Sequence, residues 1–112
     1  MNWIPLRTSE ELDVIQEKSF TTPQVIFKHS TRCSISSMAL HRLEKEDAPA
    51  NIDFNFLDLI AFRGISNTIS EKFNIPHQSP QVLLIKNGKC VFDESHSSIY
   101  MDEIVEEAIK SS

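Results

Sequence analysis

Val25-Ile26-Phe27-Lys28-His29-Ser30-Thr31-Arg32-Cys33-Ser34-Ile35-Ser36-Ser37-Met38-Ala39-Leu40-His41-Arg42-Leu43 decides how this chain folds. The apolar run Val25-Ile26-Phe27 has the character of a buried strand, and Met38-Ala39-Leu40 with Leu43 is spaced for one face of a helix. A polar turn joins them, and Cys33 lies where it meets the helix. The first turn of a helix leaves backbone N–H groups unpaired, and the helix dipole is positive at that end. Both favour a thiolate over a thiol, so Cys33 is placed where a nucleophilic or redox cysteine would be. Arg32 and His29 add positive potential, and the Ser36 hydroxyl is a candidate donor to the sulfur.

Outward from this stretch the chain alternates. Toward the N-terminus, Trp3-Ile4-Pro5-Leu6 is a short extended piece. Thr8-Ser9-Glu10-Glu11 is a capping box that opens a helix with Leu12, Ile15 and Phe20 directed to the core. Thr22-Pro23 ends that region. Gln24 to Lys28 is the next strand, and Ser34 to about Glu46 the second helix. After the turn Ala48-Pro49-Ala50-Asn51 comes a strand through Phe54, Phe56 and Leu57-Asp58-Leu59. Gly64-Ile65-Ser66-Asn67 leads into a third helix with Ile69 and Phe73 inward, stopped at Asn74-Ile75-Pro76. Val82-Leu83-Leu84-Ile85 is a buried strand, and Asn87-Gly88 turns it as a hairpin into Cys90-Val91-Phe92. Asp102 and Glu103 start a last helix and Lys110 sits near its end, matching the dipole at both termini. The order is βαβαβαββα. Strands alternating with helices give a central mixed sheet with helices on both faces, and the hairpin adds an antiparallel edge.

The 112 residues predict one domain, 1–112, able to bury a core without disulfide staples. The net charge of −5 and the absence of a basic run argue against nucleic acid or an anionic membrane as partner. No signal-peptide pattern and no membrane-spanning apolar run is present. Cys33 and Cys90 are therefore expected reduced, in a cytoplasmic protein.

Particular residues then converge on a family. Cys33 after the second strand, with Ser36 three positions on, resembles a thioredoxin Cys-x-x-Cys site whose second cysteine is serine. Ser79-Pro80 ahead of Val82 to Gly88 resembles the cis-proline loop, strand and hairpin of thioredoxins. More specifically, five segments resemble the monothiol bacilliredoxin family, the YtxJ-like proteins of the bacterial bacillithiol system. They are Lys28 to Ser36, Arg63 with Ser66-Asn67, Ser79-Pro80-Gln81, Lys86-Asn87-Gly88, and Ser95-His96-Ser97-Ser98-Ile99. The similarity runs in order over nearly the whole chain. Two positions depart from the pattern. Ser34 stands where the family usually has proline, and Cys90 is not a family cysteine.

The resemblance implies a thioredoxin-like fold and an oxidoreductase working through reversible thiol exchange. Cys33 would attack the bacillithiol sulfur of an S-thiolated protein, and a second small thiol would then clear Cys33. One cysteine suffices for this. No bound cofactor is implied, only bacillithiol or a similar low-molecular-weight thiol as co-substrate, with S-thiolated proteins as partners and a monomer or weak dimer as the state. Catalysis falls to Cys33 and Ser36; substrate binding falls to Arg32, Ser79, Pro80, Arg63 and His29. A cis Ser79-Pro80 bond would bring backbone groups beside Cys33, where a partner's extended chain can add as a strand. Arg63 is suited to the carboxylate of a small thiol.

Each of these readings has a plainer alternative. Cys33 could be a small core hydrophobe, although its polar neighbours argue against that. Ser36 could be an ordinary helix-surface serine, and Arg63 a solvated charge. Cys90 is expected to pack inertly in its strand. His29, His96 and Cys33 lack the tight spacing of a metal site, while His41 and His77 are read as surface or loop residues. Two other functions compete: an iron–sulfur cluster protein of the monothiol glutaredoxin kind, and a thioredoxin-like module that binds without redox turnover.

Overall fold

The computed structural model describes residues 1–110. Strands β1 (Trp3–Pro5), β2 (Gln24–His29), β3 (Asp53–Asp58), β4 (Gln81–Lys86) and β5 (Lys89–Ser95) alternate with helices α1 (Ser9–Lys18), α2 (Ser34–Glu44) and α3 (Arg63–Phe73). A one-turn 3₁₀ segment, His96–Ser98, precedes α4 (Met101–Ile109). The sheet order is β1-β3-β2-β4-β5. β1, β3 and β2 run parallel, and the β4–β5 hairpin pairs antiparallel to β2. This is the βαβαβαββα order that the sequence predicts.

Period-two alternation along β2 divides the core. Val25 and Phe27 pack with Ala39 and Leu43 of α2 and Ile104 and Ala108 of α4. Ile26 faces the other way, among Leu12 and Ile15 of α1 and Ile69 and Phe73 of α3. Both faces of the sheet are covered, so its central strands carry near-continuous apolar runs.

The local signals act as their chemistry requires. The Thr8 hydroxyl accepts the Glu11 N–H at 3.1 Å, and the Glu11 carboxylate accepts the Thr8 N–H at 3.0 Å, completing the capping box. Asn74 closes α3 in the left-handed region, at φ 55°. Asn87 and Gly88 both have positive φ, 54° and 78°, as a type I′ turn demands.

Phe20 and Met38 are not core residues. Met38 is 64% exposed, on the outer side of α2, because Ala39 and Leu43 already fill that helix's buried stripe. Phe20, 59% exposed, lies over the hairpin turn: a β-carbon on Gly88 would stand 2.9 Å from its Cζ. The end of α1 is bound to that same turn. Ser19 Oγ accepts the Gly88 N–H at 2.8 Å, and the Ser19 carbonyl accepts the Asn87 N–H at 3.0 Å. The second helix also stops at Glu44, two residues early. The chain turns off there, with the Glu46 N–H bonded to the Leu43 carbonyl.

Candidate functional site

Three loops leave the sheet at one end. β2 runs into the Cys33 turn; β3, its parallel neighbour, runs into the loop before Arg63; and antiparallel β4 starts just after Pro80, with Gln81 opposite Lys28. The carboxyl ends of parallel strands are where open α/β sheets place their chemistry.

Cys33 is the N-cap of α2 and is half-buried. Its N–H donates to the Ser30 carbonyl at 3.2 Å, and its own carbonyl accepts the Ser37 N–H at 3.1 Å, so the backbone on both sides is fixed. Its sulfur makes no capping hydrogen bond. The N–H groups of Ser34, Ile35 and Ser36 open the helix beside it.

Beneath this turn is a buried polar pair. Ser36 is fully buried, His29 is 5% exposed, and His29 Nδ1 lies 2.7 Å from Ser36 Oγ. The same Oγ accepts the Ser30 N–H at 3.0 Å. Ser36 thus joins the first turn of α2 to the end of β2 and to the loop that leads to Cys33. The His29 ring stacks on Phe27 at 5.8 Å and tilts against Phe56 at 5.4 Å. Burial pushes His29 below the usual histidine range, and Asp58, the hydrogen bond with Ser36 and Glu44 only partly oppose this. The imidazole is therefore neutral at pH 7.

The Ser79-Pro80 peptide is cis. The Pro80 carbonyl accepts the His96 N–H at 3.0 Å, while Gln81 returns to the same loop, donating from Nε2 to the Pro76 carbonyl at 3.1 Å. Ser79 Oγ is buried without a hydrogen-bond partner among the described residues. Arg32 is exposed beside Cys33, and Arg63 is exposed at the first position of α3. The loop before Arg63 is held by Asp58 Oδ1, which accepts the N–H groups of Ile60 at 3.1 Å and Ala61 at 3.2 Å.

Cys90 is elsewhere. It pairs with Ile85, which pairs with Gln24, at the opposite end of β2 from the Cys33 turn. Five residue steps separate Gln24 from His29, roughly 16 Å of strand. A disulfide needs Cα atoms within about 4.4–6.8 Å. Burial also pushes the Cys90 thiol up to about 11.

A second polar cluster lies on the α1/α3 face, and the sequence did not reveal it. Lys28, fully buried in β2, places Nζ 3.3 Å from His77 Nδ1, and Ser66 Oγ lies 3.1 Å from the same nitrogen. The available signal was a lysine inside an otherwise apolar strand. Among the described residues, no group of three or more His, Cys, Asp or Glu side chains is arranged to hold a metal ion. No helix among them is long and apolar enough to cross a membrane.

Comparison with known proteins agrees with this geometry. The family model described as monothiol bacilliredoxin BrxC matches residues 4–104. A solved structure described as a proposed oxidoreductase with a thioredoxin fold is 28% identical, with TM-score 0.80 over 93% of this chain and 91% of that one. Thioredoxin from Malassezia sympodialis is 16% identical, with TM-score 0.77 over 96% and 91% of the two chains. Thioredoxin from Trypanosoma brucei brucei is 15% identical, with TM-score 0.77 over 98% and 93%. At those last identities the likeness is one of fold.

Proposed function

The chain belongs to the monothiol bacilliredoxin family, and from that premise we propose that it removes bacillithiol, or a small thiol of the same kind, from protein mixed disulfides. The observation that carries this reading is the solitary state of Cys33. Among the described residues it caps a helix N-terminus with no hydrogen-bond partner for its sulfur, position 36 is a serine already committed to His29 and Ser30, and Cys90 is beyond reach.

The reaction needs no electron carrier. The Cys33 thiolate attacks the bacillithiol sulfur of a protein–bacillithiol disulfide. The old S–S bond breaks, and the target's sulfur leaves as a thiolate that takes a proton from solvent. Cys33 is then joined to bacillithiol. A second small thiol, as its thiolate, attacks the bacillithiol sulfur, releasing Cys33 and forming the small-molecule disulfide. Each step exchanges one S–S bond for another. Overall one small thiol is consumed and the target's thiol is released, the incoming thiol taking the target's place in the disulfide with bacillithiol.

The site supports three separate roles. The opening N–H groups of α2 and the exposed Arg32 flank the position that the exchanging sulfur occupies. The neutral His29, through Ser36, holds the turn in place. The loop ending at Pro80 offers backbone to an extended segment of the target. The proposal places the enzyme in the cytoplasm, as a monomer or weak dimer without a resident cofactor.

Intact mass after separate incubation with oxidised bacillithiol, oxidised glutathione and coenzyme A disulfide tests this, on wild type and Cys33→Ser. A single adduct in the wild type only, strongest with bacillithiol, is expected. No adduct with any of the three would refute the exchange mechanism and favour a module that binds without turnover.

A further inference from the structure

A half-buried arginine on α2 clasps the turn that supports Pro80. Arg42 donates from Nε to the Ile99 carbonyl at 2.8 Å and from a terminal nitrogen to the Ser97 carbonyl at 3.5 Å. Its guanidinium lies over the Tyr100 ring, 4.6 Å from the centroid. Among the described residues the salt bridges involve Lys18, Lys72 and Lys110, so Arg42 is held by carbonyls and a ring and not by a carboxylate. A one-turn segment between β5 and α4 has few backbone donors for its carbonyls, and this side chain supplies them.

The turn passes this constraint to Pro80. β5 ends at Ser95, opposite Gln81, and His96 then bends the chain in the left-handed region, at φ 57°. In that conformation the His96 N–H donates to the Pro80 carbonyl at 3.0 Å. Ile99, fully buried, anchors the other end of the turn in the core with Ala39 and Leu43 of α2. Arg42 therefore ties α2, the Ser95–Ile99 turn and the loop ending at Pro80 into one unit. Cys33 and Arg42 stand about 14 Å apart along the axis of α2, at 1.5 Å of rise per residue. The guanidinium is thus remote from the reacting sulfur.

We propose that Arg42 is a positioning residue for protein substrates: through the Ser95–Ile99 turn it fixes the loop edge on which an extended target segment adds as a strand. This rests on the exchange reading above. Strand addition is tight when the receiving backbone is already in register, because ordering it on binding costs affinity. A small disulfide reaches Cys33 without using that edge. Arg42 thus governs how tightly a peptide is held and leaves the S–S exchange itself unchanged.

The test compares two disulfides that load Cys33: a ten-residue peptide whose central cysteine carries bacillithiol, and oxidised bacillithiol alone. Adduct formation is followed by intact mass over a range of concentrations, giving a half-saturating concentration and a limiting rate for each. The wild type is expected to favour the peptide. In Arg42→Gln the half-saturating concentration for the peptide is expected to rise about ten-fold, the size of a lost charge-assisted hydrogen bond. The limiting rate and the reaction with oxidised bacillithiol should stay within about two-fold of wild type, which a general loosening around Cys33 would not allow. Tyr100→Leu removes the ring beneath the guanidinium and should raise the same concentration about three-fold. Tyr100 is exposed, so that variant decides alone if Arg42→Gln does not fold. A peptide affinity unchanged in the folded variants, or equal slowing of both disulfides, overturns the positioning role. Reaction of the wild type with neither disulfide overturns the exchange reading, and the positioning role with it.

Discussion

Replacing Ser36 with alanine should damage the fold far more than its size suggests. The hydroxyl is fully buried and has two partners, His29 Nδ1 at 2.7 Å and the Ser30 N–H at 3.0 Å. The alanine variant leaves a buried imidazole nitrogen and a part-buried backbone donor without partners. Each unsatisfied group costs about 1–3 kcal/mol. Ser30 can recover some hydration at its half-buried position, so the expected total is about 2–4 kcal/mol. For a domain of this size one kcal/mol moves the melting temperature by about 4 °C, so a drop of about 8–16 °C follows. Urea denaturation with a constant m-value, together with calorimetry at pH 7.5, measures both quantities. Ser37→Ala, one residue on and exposed, is the control and should lie within about 0.5 kcal/mol of wild type. A Ser36→Ala loss no larger than that control would refute the claim that this hydroxyl holds the Cys33 turn to the sheet.

Three further outcomes are expected. Cys90 should resist alkylation in the folded protein: with its thiol near 11, about one molecule in a thousand is ionised at pH 8. Iodoacetamide followed by peptide mapping should label Cys33 first and Cys90 only after unfolding, and equal rates would contradict the burial argument. Acid should weaken the fold before the carboxylates titrate. His29 and His77 are both depressed below 6.5 in the folded state, so the unfolded chain binds more protons as pH falls from 6.5 through the folded values. The stability they contribute is present above pH 6.5 and lost below it. Urea midpoints from pH 7.5 to 5.5 should fall in wild type and flatten in His29→Gln/His77→Gln. Gly88→Ala should cost about 1–2 kcal/mol, from a β-carbon at φ 78° and 2.9 Å from Phe20 Cζ. Adding Phe20→Ala should restore only the steric part, which a urea double-mutant cycle would resolve.

The fold was legible because its signals are local and periodic. The apolar run in β2, the Thr8–Glu11 box and Asn87-Gly88 each act within a few residues, and the structure uses all three as their spacing suggests. Phe20 and Met38 were misplaced for the opposite reason. Their neighbours Leu12, Ile15, Ala39 and Leu43 already fill the buried stripes, and which apolar residue is left outside depends on the partner surface rather than on periodicity. The site divides in the same way. Cys33 at the helix start follows from the strand–turn–helix pattern. Lys28, His77 and Ser66 meet only because the β2–β4 pairing brings the cis-proline loop over the end of β2. Lys28 and His77 are 49 positions apart in sequence, and no short motif spans that distance.

Ser36 shows why this matters for chemistry. Read along the chain, it looks like the vacant second position of a dithiol motif. In the fold its oxygen bonds to a histidine seven positions earlier and to the backbone of the turn that carries Cys33. A sulfur there would hydrogen-bond more weakly to both partners. The serine therefore both removes a resolving thiol and supplies the strut on which the remaining thiol stands. In the proposed exchange, those two roles leave a single cysteine held for an external partner.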